Sequence, residues 1–184
     1  AERELQYEES ITLEALEAQL MRDDLSQEQR IRLLKAASMR FASEPRAAMG
    51  IQLTNELSEL GLKISGPVEG FDSMAKLRAN DIISRIGDLP IRSTTDLQVA
   101  IISRSPGEVV PVEVVRDGQR LTLDIELGKW SNLSSAGGIP RSYVEAAWIF
   151  RSRAYAGKDE PEVIEFDADP NAWNESAIDG WGDQ

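Results

Sequence analysis

The sequence contains neither cysteine nor histidine. The first absence removes disulfides and thiol chemistry. The second removes the commonest general base and the commonest metal ligand. A Ser-His-Asp or Cys-His constellation therefore cannot be assembled from these residues. Zinc would need an all-carboxylate shell that suits it poorly. No apolar run approaches the roughly 18–20 residues of a membrane helix. Basic residues are outnumbered, 20 against 32, for a net charge of −12. That balance argues against nucleic acid and anionic membrane as partners, because both bind through basic patches. The segment from Asp167 to Asn171 begins like a calcium loop, but Ala172 and Ile178 stand where glycine and glutamate are needed. No catalytic residue, metal or cofactor is expected. No signal peptide is read. A chain that opens on Ala1 is compatible with a processed product whose targeting segment has been removed.

What is present is enough for a core. The 184 residues are 41% hydrophobic, which suits one domain with extensions or two small domains. The most informative stretch runs from Met49 to Gly128. Within it, Val110, Val112 and Val114 alternate with polar positions, as do Leu121, Leu123, Ile125 and Leu127. Period two marks half-buried strands, and Asp117-Gly118 between them suits a tight hairpin because both residues tolerate positive φ. Upstream, 49–57 and 61–68 read as strands, 71–77 as one or two helical turns, and 78–91 as a turn, a strand and a short strand. Residues 93–105 read as a helix whose first turn holds Asp96, suited to the helix dipole.

The flanks read as helical. Leu13, Leu16 and Leu20 share one helical face, and Leu34, Ala37 and Phe41, with Ile31 a turn earlier, share another. Ser26 and Gln29 have capping-box spacing, which sets the turn of an αα-hairpin near 23–26. Residues 129–141 are rich in Ser, Gly and Pro and read as a linker. Ser142 and Glu145 predict a second capping box, starting a helix that runs to about Ala156 with Gly157 placed to end it. Val144, Trp148 and Tyr155 form its docking face. Val163–Asp169 alternates like a short strand able to add to a sheet edge. The tail after Lys158 carries nine acidic residues and no basic one, together with Trp173 and Trp181.

The order strand, strand, short helix, strand, longer helix, strand, strand resembles a PDZ domain, in the circularly permuted form of bacterial HtrA-type proteases. The resemblance is carried by Met49-Gly50-Ile51, by 70–91, by Asp96-Leu97 with Ala100-Ile101, and by the 105–128 hairpin. Departures are Phe71-Asp72-Ser73 for the usual Ser-Pro element, Asn80-Asp81 for Gly-Asp, and Ile86-Gly87-Asp88 for Ile-Asn-Gly. The fold implied is α+β: a small antiparallel β-sandwich or barrel with two helices at 46–128. Before it stands the 1–45 hairpin; after it come the 129–141 linker, the 142–157 helix and the 158–184 acidic tail. The flanking residues are too few, and lack the histidine, for the protease domain of that family, so a PDZ module without one is expected.

The function implied is non-enzymatic capture of an extended or C-terminal polypeptide segment as an added strand. In the family, a loop ending in Gly and an apolar residue receives the ligand carboxylate, and Ala48-Met49-Gly50-Ile51 matches it. Met49, Ile51, Leu53, Leu97 and Ile101 would wall the pocket for the last ligand side chain, and Arg46 would add attraction to the carboxylate. Two other readings stand beside this one. The groove could be filled by the chain's own C-terminal segment, making it a scaffold, or the chain could be a regulatory fragment of a larger protease. A homodimer through the N-terminal helices is a further expectation. By family habit, the protein is expected in the periplasm or otherwise outside a bacterial cytoplasm.

Overall fold

The computed structural model describes residues 11–133 and 137–155. The strand expected at Val163–Asp169, the helix end at Gly157, the acidic tail with Trp173 and Trp181, and the calcium-like segment lie outside the described residues.

The chain opens with α1 (Leu13–Leu20) and α2 (Gln27–Ser43). The expected capping box starts α2: the Gln29 amide donates to the Ser26 hydroxyl at 3.2 Å, and the Ser26 amide to the Gln29 side chain at 2.9 Å. Leu13, Leu16, Leu20, Ala37 and Phe41 are buried as their spacing requires. Ile31 is not: it is 59% exposed, and Leu33 and Leu34 flank the buried stripe in its place.

Strands β1 (Ala47–Ala48), β2 (Ile51–Ser58), β3 (Gly61–Pro67), β4 (Ile82–Ile86), β5 (Leu89–Pro90), β6 (Val109–Arg116), β7 (Gln119–Glu126) and β8 (Gly128–Lys129) build the central domain, with α3 (Ser73–Lys76) and α4 (Thr94–Ile102) between them. One antiparallel sheet runs β2-β3-β4-β6-β7, with β5 on β4, and β1 pairs with β8 apart from it. The β6–β7 hairpin turns at Asp117 (φ 50) and Gly118 (φ 77), both left-handed as the Asp-Gly dipeptide predicts. Val110, Val112 and Val114 are buried at 1% exposure or less, so the alternation does face the core. Asn80, in place of glycine, adopts φ 72. Helix α4 carries its own capping box, Ser93 with Asp96.

Two cores meet at α4. The domain core takes Leu97, Ala100 and Ile101, whereas Ile102 belongs to a second cluster with α1, α2 and α5 (Arg141–Ser152). The Ser142–Glu145 capping box does not form. The cap lies two residues earlier, at Pro140 and without a side-chain bond, so Ser142 falls inside the first turn, and Glu145 instead accepts from Arg141 at 2.7 Å. It ends at Ser152, short of the expected Ala156. Tyr143, Ala146 and Ala147 are its buried positions, with Val144, Trp148 and Tyr155 partly buried beside them. The small alanines let the backbones approach closely.

A buried ion pair crosses this helical cluster. The Arg151 guanidinium donates to both carboxylate oxygens of Glu17, at 2.6 and 2.9 Å, and to the Ser103 carbonyl at the end of α4 at 2.7 Å. Bonding to Glu17 raises the Arg151 pKa further, against the opposing effect of burial. Glu17→Ala leaves the guanidinium short of acceptors, and the expected loss is about 2 kcal/mol of stability, read as a lower urea midpoint.

Candidate functional site

Gly50 sets the site's geometry. It sits at φ +67, and its carbonyl accepts from the Val68 amide at 2.7 Å and from the buried Ser73 hydroxyl at 2.8 Å. In a trans peptide the C=O and the following N–H point in opposite directions. With the Gly50 carbonyl drawn inward, the Ile51 N–H must face the other way. The strand register agrees. Val68 bonds Gly50, so the Ile51–Pro67 pair is the non-hydrogen-bonded kind, and the polar groups of Ile51 point away from β3. Among the described residues β2 pairs with β3 alone. Among those residues its other side is left unpaired, an edge of the kind that another chain can extend.

Ser73 and Phe71 hold the loop from behind. An added Cβ at Gly50 would lie 2.1 Å from Phe71 Cγ, and one at Gly128 would lie 2.7 Å from Phe71 Cε1. The Phe71 ring thus fills the space left by two glycines. This explains why Phe71 can stand where the family pattern has a smaller Ser-Pro element.

Beside the open edge lies a cavity of about 340 Å³. Six of the residues expected at the site line it: Met49, Gly50, Ile51, Leu53, Leu97 and Ile101. Met49, Leu97 and Ile101 form buried floor shared with the core, whereas Ile51 and Leu53 are partly buried. Among the described residues none of the lining is charged, and its polar side chains are Gln52 and Gln98. Such a lining suits an apolar side chain, and the donors it could offer a carboxylate are amides, of the backbone or of Gln52 and Gln98.

Arg46 lies elsewhere. It is not among the lining residues, its guanidinium sits 4.4 Å over the Phe41 ring, and it donates to the Phe41 carbonyl. Burial, foremost, lowers its pKa; Glu44 opposes this and Arg151 adds to it. Its main-chain carbonyl, not its charge, connects it to the groove, by accepting from the Trp130 amide at 2.8 Å.

Sequence reasoning missed the contribution from beyond the domain. Trp130 and Leu133, in the segment expected to be a linker, also line the cavity, with Gly137. Strand β8 pairs with β1, and a 3₁₀ turn, Trp130–Asn132, follows directly. The available signal was a tryptophan placed immediately after the last strand.

An open sheet edge, a glycine loop with inward carbonyl and an apolar cavity under the longer helix define a PDZ-type groove. Residues 47–127 match the PDZ domain family and form a PDZ domain. Among curated proteins, the chain is similar to serine protease Do-like HtrA of Lactococcus lactis subsp. lactis, 34% identical over 100 residues, covering 46% of this chain and 24% of that protein. The counterpart in L. lactis subsp. cremoris is 33% identical over 100 residues, covering 46% and 25%. The chain thus spans about a quarter of the length of these relatives. Similar solved structures include an HtrA-type protease AlgW with decapeptide (17% identity, TM-score 0.43, covering 57% of this chain and 39% of that one). Another is the HtrA3 PDZ domain bound to a phage-derived ligand (21%, TM-score 0.38, covering 46% and 86%). No described helix is long and apolar enough to cross a membrane.

Proposed function

We propose that this chain is a non-enzymatic binding module that captures the C-terminal segment of another polypeptide, which adds as a strand to β2. The observation that carries the reading is the β2 edge left unpaired among the described residues, with the Ile51 N–H turned outward beside a mainly apolar cavity. The ligand backbone pairs with β2, its carboxylate lies against the Met49–Ile51 amides, and its last side chain enters the cavity floored by Leu97 and Ile101. Charge-assisted bonds to a carboxylate contribute about 1.5–3 kcal/mol each, and burying the last side chain about 1.5–3 kcal/mol. Ordering the peptide offsets much of this, which gives affinities of about micromolar. Presence outside the bacterial cytoplasm belongs to the same reading, and cell fractionation checks it.

Titration with ten-residue peptides ending in an apolar residue tests the proposal. Peptides with a free carboxylate are expected to bind with Kd of about 1–10 μM, and amidation of that end is expected to weaken binding by at least about tenfold. Equal affinity for free and amidated peptides would remove end recognition. Absence of binding by every peptide would remove the capture reading altogether. Deleting residues 158–184 sorts capture of another protein from occupancy by the chain's own end: unchanged affinity supports the former, a large rise the latter.

A further inference from the structure

We infer that Trp130, with Leu133, is a specificity-determining wall of the groove and selects ligands whose final side chain is large and apolar, aromatic above all. The inference rests on the peptide-binding reading and goes beyond it, since both residues lie C-terminal to the matched domain. Three observations carry it. First, Trp130 is fixed rather than merely nearby: its amide donates to the Arg46 carbonyl at 2.8 Å, and its own carbonyl accepts from the Leu133 amide at 3.0 Å. The first of these bonds is made at the entry to the loop that holds Gly50. Second, the indole N–H is already used, donating to the Gly137 carbonyl at 3.1 Å. The ring therefore offers the cavity an apolar surface with no unmet donor. Third, the cavity, at about 340 Å³, reaches the lower end of the range for ligand pockets, roughly 300–1,000 Å³. The space admits an aromatic ring as well as a valine-sized side chain, and a ring would present more surface to Trp130 and Leu133.

The occupant is thus a peptide end bearing a bulky uncharged residue. Acidic and basic final residues are disfavoured, because the described lining residues offer them no countercharge. Aromatic pairing beyond simple burial corresponds to a preference of about twofold to tenfold.

The test uses the full chain and three decapeptides identical except for a final Phe, Val or Ala, each with a free carboxylate, measured by fluorescence anisotropy. Wild type is expected to bind the Phe-ended peptide tightest. Trp130→Ala should weaken that peptide by about threefold to tenfold while changing the Ala-ended peptide by less than about twofold, so the preference flattens. Leu133→Ala, which spares the β1–β8 pairing, should flatten it in the same direction by a smaller factor, and it decides the matter if Trp130→Ala proves unfolded by circular dichroism. A Phe-over-Ala ratio unchanged in both variants, with binding intact, overturns the assignment and leaves the capture reading standing. Failure of the wild type to bind any of the three peptides, in free-carboxylate form, overturns both.

Discussion

Gly50→Ala is expected to abolish measurable peptide binding and to destabilise the domain by about 2–4 kcal/mol. Two costs combine. The backbone at φ +67 lies in the left-handed region, which a side chain enters at a penalty. The new Cβ would also lie 2.1 to 2.5 Å from three atoms of Phe71, a buried ring backed by Gly128 and unable to retreat freely. Relief requires the Gly50 peptide to rotate, which breaks its carbonyl's bonds to Val68 and Ser73 and swings the Ile51 N–H off the groove. Urea unfolding reads the first effect, and titration of a free-carboxylate peptide at a urea-free, folded temperature reads the second. Near wild-type affinity in a folded Gly50→Ala protein would refute the part assigned to this loop. Ser73→Ala removes one of the two bonds without strain and should give a milder version of both losses.

The second large effect is expected at Asp81. Its carboxylate is 1% exposed and accepts from the Arg116 guanidinium twice at 2.8 Å and from the Arg78 amide at 2.8 Å. Arg116 also donates to the Lys76 carbonyl at 2.9 Å, so the pair ties α3 to the β6–β7 hairpin. Burial pushes the Asp81 pKa up, but the bonds from Arg116 and Arg78 and the attraction of their charges prevail, and it stands below the usual carboxylate value. A depressed folded-state pKa contributes stability that is fully present above the unfolded value, about 3.9, and is lost as pH falls through the folded value. Asp81→Asn is therefore expected to cost about 3 kcal/mol at pH 7. The gap between variant and wild type should close as pH falls below about 4. Urea unfolding of both proteins across that range checks the sign. A gap that stays constant with pH would show that the loss comes from packing rather than charge.

Much of the domain was legible because its signals are local. Asp117-Gly118 demands a turn, alternation in 109–127 demands a half-buried pair of strands, and Ser26 with Gln29 demands a helix start. Each needs residues only a few positions apart. Six of the nine lining residues from Met49 to Ile101 were legible through the ordered resemblance of the whole segment, and Gln52, Val68 and Gln98 were not. What failed was competition among local signals. Ser142 and Glu145 have capping spacing, but the helix begins at Arg141, which puts Ser142 within its first turn and pairs Glu145 with Arg141. Ile31 has the right periodicity, but a two-helix stripe is narrow and Leu33 and Leu34 occupy it. Arg46 precedes the loop in sequence, yet Phe41 offers its guanidinium both a ring face and a carbonyl.

The sequence by itself determined the strands, turns and left-handed positions, because these follow from side-chain period and backbone sterics within short windows. Only the tertiary structure decided what shares the groove. Trp130 reaches the Gly50 loop through pairing between segments some eighty residues apart. Asp81 finds Arg116, and Glu17 finds Arg151, through packing alone. Long-range partners depend on which surfaces the fold brings together, and no short window of the chain contains that choice.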